Sequence, residues 1–181
     1  PKLGKDAVRP LVEGLRVKDS AVRDVICRAL GAIGYRHAGP YLKELAEQKD
    51  VLDRTRDAAL GALAAVAGKS SLPKPAAELF YDLAQSYYRH DESVNPDSRY
   101  DAGNVWYWKE GLGLTYKQVP NAIFNDVYAM RAAREALALD PSFEQAVSLW
   151  LAAYIRKEAN LPEGATDPTQ VASQPQAMFY A

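Results

Sequence analysis

The sequence predicts an all-α fold in which helix pairs stack side by side as an α-solenoid, with a small β-hairpin inserted. Three observations support this prediction. Residues 23–34 are nearly repeated 33 positions later at 56–67. Apolar residues around both copies recur with a helical period. Residues 104–120 instead have the aromatic and β-branched composition of a hairpin. A helix pair of this length cannot bury its apolar face alone, so it stacks on its neighbours.

The first repeat is predicted to contain two helices, over residues 7–16 and 21–33. The apolar stripe of the first helix consists of Val8, Leu11, Val12 and Leu15. The stripe of the second consists of Val22, Val25, Ile26, Ala29, Leu30 and Ile33. Asp19 or Ser20 can accept hydrogen bonds from the first-turn amides, and Gly34 can end the helix in the left-handed conformation. The short turn between the two helices predicts that they lie nearly antiparallel.

The second repeat follows the same plan. In its first helix, Pro40, Leu42 and Leu45 correspond to residues of the first repeat at an offset of 30. The second-helix stripe recurs at an offset of 33 as Thr55, Ala58, Ala59, Ala62, Leu63 and Val66. Because alanine side chains let helix axes approach closely, we expect this second helix to pack on both of its sides.

The words Val22-Arg23 and Ala29-Leu-Gly-Ala-Ile-Gly34, with Asp19 in the preceding turn, resemble short HEAT-like repeats of the phycobilisome-lyase-related type. The resemblance covers about residues 4–68, so residues 1–68 are assigned two HEAT-like repeats. It implies that aspartate and arginine side chains pair across adjacent turns and repeats. The candidates for this structural pairing are Asp19, Arg23, Asp53 and Arg56.

Residues 69–75 contain two prolines and two serines, which favours a linker. Beyond it, residues 76–158 resemble tetratricopeptide repeats with an insertion at about 90–122. The matching first-helix positions are Phe80, Leu83, Ala84 and Tyr87, and the second-helix positions are Ala129, Ala133, Ala136 and Pro141. The same spacing predicts a following helix with Val147, Trp150, Leu151 and Tyr154 facing inward.

The insertion is the segment with the least regular pattern. It begins as a polar loop at His90 and continues as a predicted hairpin that turns at Gly111-Leu-Gly113. Trp106, Tyr107 and Trp108 would occupy both faces of this hairpin, so one face buries and the other is partly exposed. We therefore assign partner binding to these three residues and to Tyr88, which is expected to point outward. In the alternative interpretation, the two tryptophans seal a small irregular core.

Composition excludes several classes of protein. Apolar residues make up 48% and the net charge is −1, so no general attraction to nucleic acid or anionic lipid is expected. Acidic residues are interspersed among the 12 Lys and Arg of residues 1–68, which favours a solvated surface. The single cysteine, Cys27, lies in a predicted stripe as a small core residue. No apolar run reaches the ~18 residues that span a bilayer, and no signal-peptide pattern is present. A soluble chain is expected, and no compartment is assigned.

Few residues in the chain could do chemistry. His37 is expected to be a solvated turn residue. His90 lies near Asp91, Glu92, Asp97 and Asp101, but their spacing matches no metal motif, so an ordinary polar loop is expected. The sequence contains no phosphate-binding glycine loop and no Gly-x-Ser-x-Gly element. We therefore predict no catalytic residue, no metal site and no cofactor.

These patterns predict a scaffold or binding module for a protein or peptide partner, which would lie along the inner helices of the stack. One alternative is an enzyme or ligand-binding domain that uses the aromatic and acidic insertion. A second is nucleic-acid binding through the N-terminal repeats, which the charge balance disfavours. Because the chain starts at Pro1 and residues 159–181 suggest a loop followed by the start of another helix, a fragment of a longer array is expected.

Overall fold

The computed structural model describes residues 4–171, which divide into two compact units. The first unit contains residues 4–79 and 106–115, and the second contains residues 80–105 and 116–171. The predicted start of a helix at 176–181 lies outside the described residues. Within the described range the helices are α1 (Val8–Gly14), α2 (Ser20–Ile33), α3 (Gly39–Glu47), α4 (Asp53–Ala67), α5 (Ala76–Tyr88), α6 (Asn121–Leu139) and α7 (Glu144–Ala159). The strands are β1 (Ala102–Lys109) and β2 (Gly113–Pro120), which form a two-stranded antiparallel sheet.

The helix pairs of the first unit have the predicted spacing. Helix α4 begins 33 residues after α2, as the sequence repeat requires. The Asp19 carboxylate accepts hydrogen bonds from the amides of Ala21 (2.8 Å) and Val22 (3.3 Å), so it caps α2. Gly34 ends the helix with φ of 82°, a left-handed conformation that glycine adopts without a Cβ penalty. Both end signals of α2 are therefore confirmed.

The core of the first unit lies between these helices, with α2 and α3 both packed along α4. The predicted stripe of α4 is confirmed at five positions, since Thr55, Ala59, Ala62, Leu63 and Val66 are buried, and its sixth residue, Ala58, is half-buried. The predicted stripe of α2 is partly wrong. Val22 is 43% exposed and Val25 is 57% exposed, whereas Asp24 and Cys27 are buried. The sequence pattern favoured the valines, but the face of α2 that α4 covers is the one that carries Asp24.

Helix α2 contacts α4 through a close backbone approach and through a buried carboxylate. A Cβ added at Gly31 would lie 3.2 Å from the Cα of Ala62, so the two backbones approach closely. The buried Asp24 carboxylate accepts a 2.5 Å hydrogen bond from Thr55 Oγ1. It also pairs with Arg54, whose Nε lies 3.3 Å from Asp24 Oδ2. A buried carboxylate is tolerated here because its oxygens have these partners.

His37 corrects another expectation, because it is buried, with only 6% of the residue exposed, and is not a solvated turn residue. It lies in a 3₁₀ turn just before α3. Burial lowers the pKa of the imidazole to about 4, and the nearby positive charge of Arg9 lowers it further. Cys27 behaves as expected: it is buried, and burial raises the pKa of its thiol to about 11.

In the second unit, α6 packs along α7, and the Tyr87 and Tyr128 rings stack at 5.0 Å between centroids. The positions predicted to face inward on α5 and α6 are buried, namely Phe80, Leu83, Ala84, Tyr87, Ala129, Ala133 and Ala136. On α7 the prediction holds for Tyr154 but is wrong for Val147, which is half exposed. The buried stripe of α7 instead includes Lys157, because its ammonium pairs with Asp167 at 2.6 Å and with the Gln170 side chain at 2.5 Å.

The base of the hairpin is joined to the start of α6. The Asn121 amide donates to the carbonyl of Asp101 at 2.9 Å, and its side-chain nitrogen donates to the carbonyl of Tyr100 at 2.6 Å. Gly103 lies so close to the Phe124 ring that a Cβ there would overlap it. None of the helices in residues 4–171 is both long and apolar enough to cross a membrane.

The contact at Gly31 gives a test of the helix packing. Replacing Gly31 with leucine should lower the free energy of unfolding by about 1–3 kcal/mol or more, because the new side chain meets the backbone of Ala62. The matched control is Gly61→Leu, at a helix position where an added Cβ meets nothing within 4 Å. That change should be stabilising by up to about 1 kcal/mol. Urea unfolding followed by circular dichroism measures both, and equal effects would contradict the observed α2–α4 contact.

Burial of His37 predicts a pH-dependent stability. The folded chain holds the imidazole neutral, so protons favour the unfolded chain, where its pKa is 6.5. The stability that depends on the neutral ring is complete above that pH and is lost as the pH falls toward 4. Between pH 7 and pH 5 the free energy of unfolding should fall by about 2 kcal/mol more in the natural chain than in His37→Leu. His90→Gln, at an exposed histidine, is the control and should keep the natural pH dependence.

Candidate protein-interaction surface

The hairpin has one buried face and one open face. Val105 on β1 and Val119 on β2 are fully buried, so the odd-numbered residues of both strands point to the inner face. Trp106, Trp108 and Leu114 therefore point to the outer face. The turn is closed by a 3.1 Å hydrogen bond from the Leu112 amide to the Lys109 carbonyl. The two turn glycines have φ near 79° and 78°, and the predicted hairpin and its turn are confirmed.

We define the hairpin patch as Trp106, Trp108, Leu112 and Leu114, all of which belong to the first unit. Leu112 at the tip is 76% exposed and Leu114 is 42% exposed. The two tryptophans are half-buried. The patch therefore combines two exposed leucines with two large aromatic side chains that are already partly held in place.

An ion pair ties the tip of the hairpin to the turn between α1 and α2. Lys18 donates a hydrogen bond to the Glu110 carboxylate, and this contact lowers the pKa of Glu110. Both side chains are highly exposed, so water and salt weaken the attraction between them. The ion pair therefore shows that the hairpin tip lies beside this turn, and it adds little to the stability of the hairpin.

Of the four residues predicted to bind a partner, the three on β1 do not share one face. Trp106 and Trp108 share the outer face of β1, whereas Tyr107 points to the opposite face. Tyr88 lies at the end of α5 in the second unit, where the Arg156 guanidinium stacks 3.7 Å from the centre of its ring. Arg156 also donates to the Tyr88 carbonyl at 2.7 Å. Partner binding by Tyr88 stays a prediction. The contacts described for Tyr88 join the end of α5 to α7.

Arg156 is part of a buried polar cluster that the sequence did not reveal. Its Nε donates to Asp126 Oδ1 at 2.7 Å, and Asp126 is fully buried on α6. The two residues are 30 positions apart, and neither belongs to a motif. The cluster joins α6, α7 and the end of α5 through one guanidinium group. Within the second unit it therefore fixes where the helix carrying Tyr88 ends.

The residues proposed for pairing between repeats make mostly local contacts. Asp19 caps α2, and Arg23 Nε donates to the Val17 carbonyl at 2.6 Å. Arg56 donates to the carbonyls of Ala46 and Gln48, which holds the turn before α4, and Asp53 is exposed in the first turn of α4. Pairing among these four residues stays a prediction. The ion pair that joins the two second helices is Asp24 with Arg54, and the apolar pattern around Asp24 concealed it.

The acidic loop was the sequence's candidate for metal chemistry. His90 is exposed and has a positive φ of 59°. The Asp97 carboxylate is bound by Arg99, whose Nε lies 3.0 Å from each of its oxygens. Among residues 4–171, no group of three or more His, Cys, Asp or Glu side chains lies together in an arrangement that could hold a metal ion.

Comparison with known proteins bears on the first unit. Residues 3–73 match the family profile of HEAT repeats, so this part of the chain contains HEAT-like repeats. Proteins with such repeats are typically scaffolds for protein interactions. A search of curated proteins found no match, and neither did a search of solved structures.

An experiment can distinguish the structural role of the buried Asp24 from that of the exposed Asp53. Asp24→Ala should lower the free energy of unfolding by about 1–3 kcal/mol, because it leaves the buried Thr55 hydroxyl without its acceptor. Asp53→Ala removes an exposed carboxylate and should change stability by no more than about 0.5 kcal/mol. Urea unfolding of the two variants decides between them. A larger loss for Asp53→Ala would favour the pairing that the family resemblance implied.

Proposed function

We propose that the chain is a protein-interaction module that binds a protein or peptide partner through the hairpin patch. The observation that carries the proposal is the exposure of Leu112 and Leu114 beside the half-buried Trp106 and Trp108. Contiguous exposed apolar side chains are characteristic of protein-binding surfaces. Tryptophan is also among the residues that contribute most to binding energy at such surfaces.

The support under the patch favours binding. An isolated two-stranded hairpin is only marginally stable in water. Here Val105 and Val119, near the base of the hairpin, are fully buried, so the strand pair is anchored at that end. Because the tryptophan rings are already partly held, a partner loses less conformational entropy in fixing them than it would on a flexible loop.

We also propose a finer assignment of the helical framework. The HEAT-like pairs are of the phycobilisome-lyase-related type, which the capping Asp19 and the left-handed Gly34 support. Helices α5, α6 and α7 form a tetratricopeptide-like unit that the hairpin interrupts. The burial of Phe80, Tyr87 and Ala133 supports that assignment. Together these elements serve as an α-solenoid scaffold that presents the hairpin.

We propose a binding role without catalysis. The alternative function is an enzyme or ligand-binding site, which would use the acidic side chains of the loop that begins at His90. Its Asp97 carboxylate is engaged by Arg99, and the loop's backbone is held by Asn121, whose side chain donates to the Asp97 and Tyr100 carbonyls. These contacts give the loop a structural role at the start of α6. The acidic residues interspersed among the basic residues of the first unit support a protein partner in preference to nucleic acid.

The test is affinity capture with an exposed-residue variant. Leu112→Glu combined with Leu114→Lys places charge on the patch without disturbing a buried side chain. Burying one leucine contributes about 1.5–3 kcal/mol, so the double variant should retain a specific partner at least about tenfold less well. The readout is quantitative mass spectrometry of proteins retained from an extract of the source cells.

The matched control is Leu139→Lys, a leucine on α6 in the second unit that is about as exposed as Leu114. It should retain the same partner as the natural chain, with circular dichroism confirming that all variants are folded. Trp106→Ala with Trp108→Ala is a second, more severe variant of the patch. Equal retention by the natural chain and the patch variant would overturn the proposal.

A further inference from the structure

The segment that follows α7 lies against that helix, within the second unit. We call residues 161–170 the strap. Every residue of the strap is exposed or half-buried. The two α7 side chains that it contacts are buried, since Tyr154 is 0% exposed and Lys157 is 4% exposed. The strap is therefore a surface segment that lies on a buried floor.

The floor carries a buried positive charge. Lys157 Nζ lies 2.6 Å from Asp167 Oδ2 and donates a hydrogen bond to Gln170 Oε1 at 2.5 Å. Gln170 Nε2 donates in turn to the Tyr154 hydroxyl at 2.7 Å. A buried ammonium group is costly without an anion beside it. This floor therefore favours a carboxylate at the position that Asp167 occupies.

The backbone of the strap is also bound. Lys117 on β2 donates to the Pro168 carbonyl at 2.6 Å. The Asp167 carboxylate accepts hydrogen bonds from the Thr169 amide at 2.8 Å and from its hydroxyl at 2.6 Å, which fixes the turn. The contacts thus recognise a carboxylate, the next main-chain carbonyl and an amide side chain three residues after the carboxylate. Peptide-binding sites combine main-chain and side-chain contacts in the same way.

The attachment of the strap has the character of a reversible contact. Because the strap contributes no buried residue, polar contacts hold it to α7 and β2 in place of an apolar core. Segments with few buried apolar contacts open at a lower free energy than the core does. An opened strap would leave the Lys157 ammonium without its carboxylate, so a second carboxylate could take that position.

We propose that Lys117, Tyr154 and Lys157 form a binding groove for an extended acidic segment of a partner protein, and that the strap is the intramolecular occupant of this groove. The partner segment carries an aspartate and, three residues later, a glutamine, as the strap does at Asp167 and Gln170. Its binding displaces the strap. The groove shares no residue with the hairpin patch, so the two proposals can fail independently.

The probe is a fluorescent peptide of residues 161–171 with an amidated end. In the full chain, Asp167→Ala removes the carboxylate of the tethered strap and opens the groove. Fluorescence anisotropy should show saturable binding of the probe to this variant and at least about tenfold weaker binding to the natural chain. The reason is that a tethered segment competes at an effective concentration on the order of millimolar. The same probe carrying Asp167→Ala should bind at least about tenfold more weakly than the unchanged probe.

Two further chain variants are controls. Glu163→Ala removes an exposed carboxylate of the strap and should bind the probe as weakly as the natural chain does. Lys157→Met combined with Asp167→Ala leaves no buried charge at the groove and should not bind the probe. If circular dichroism shows that Asp167→Ala is unfolded, Asp167→Asn replaces it, because asparagine keeps an acceptor for the ammonium.

Three results would overturn the proposal. The first is the absence of saturable binding to a folded variant with an opened strap. The second is equal binding to the natural chain and to that variant, because the probe would then not compete with the strap. The third is binding that survives Lys157→Met, because the buried ammonium would then not be what recognises the segment.

Discussion

The close contact between α2 and α4 is the constraint on which the first unit depends. Gly31 lets the two backbones approach, and this approach brings Thr55 within hydrogen-bonding distance of Asp24. The same contact buries Cys27 and Leu30 in the core cluster. One arrangement of the two helices therefore both buries apolar side chains and gives the buried carboxylate its hydrogen-bond partner. A larger side chain at the contact would separate the helices and leave the carboxylate without its partners.

Features set by local physics were predictable from the sequence. The ends of α2 follow from a side-chain cap at Asp19 and a left-handed glycine at Gly34, and the hairpin turn follows from its two glycines. The buried face of a helix is decided by its neighbours. Val22 was expected inside and Asp24 was not included in the buried stripe, because periodicity counts apolar residues and does not include the partners that a carboxylate acquires from another helix. Lys157 is buried for the same reason, through Asp167.

The candidate site was predictable to a similar extent. The aromatic composition of β1 indicated a hairpin with one open face, and alternation along the strand then separates Trp106 and Trp108 from Tyr107. No pattern in the sequence selects Leu112 and Leu114, because their exposure depends on which face of the hairpin carries the buried Val105 and Val119. Tyr88 was grouped with the tryptophans by residue type alone, whereas its position is fixed by Arg156.

The hairpin patch combines two kinds of side chain that contribute differently to recognition. Leu112 and Leu114 provide apolar area but no hydrogen-bond donor and no directional contact. Tryptophan adds an indole N–H and a ring whose contacts depend on orientation, and two tryptophans on one supported strand restrict which partners fit. Specificity is a difference between affinities and requires contacts that reject the wrong partner. If the hairpin patch binds a partner, its tryptophans therefore select that partner, and its leucines contribute apolar area once the partner is bound.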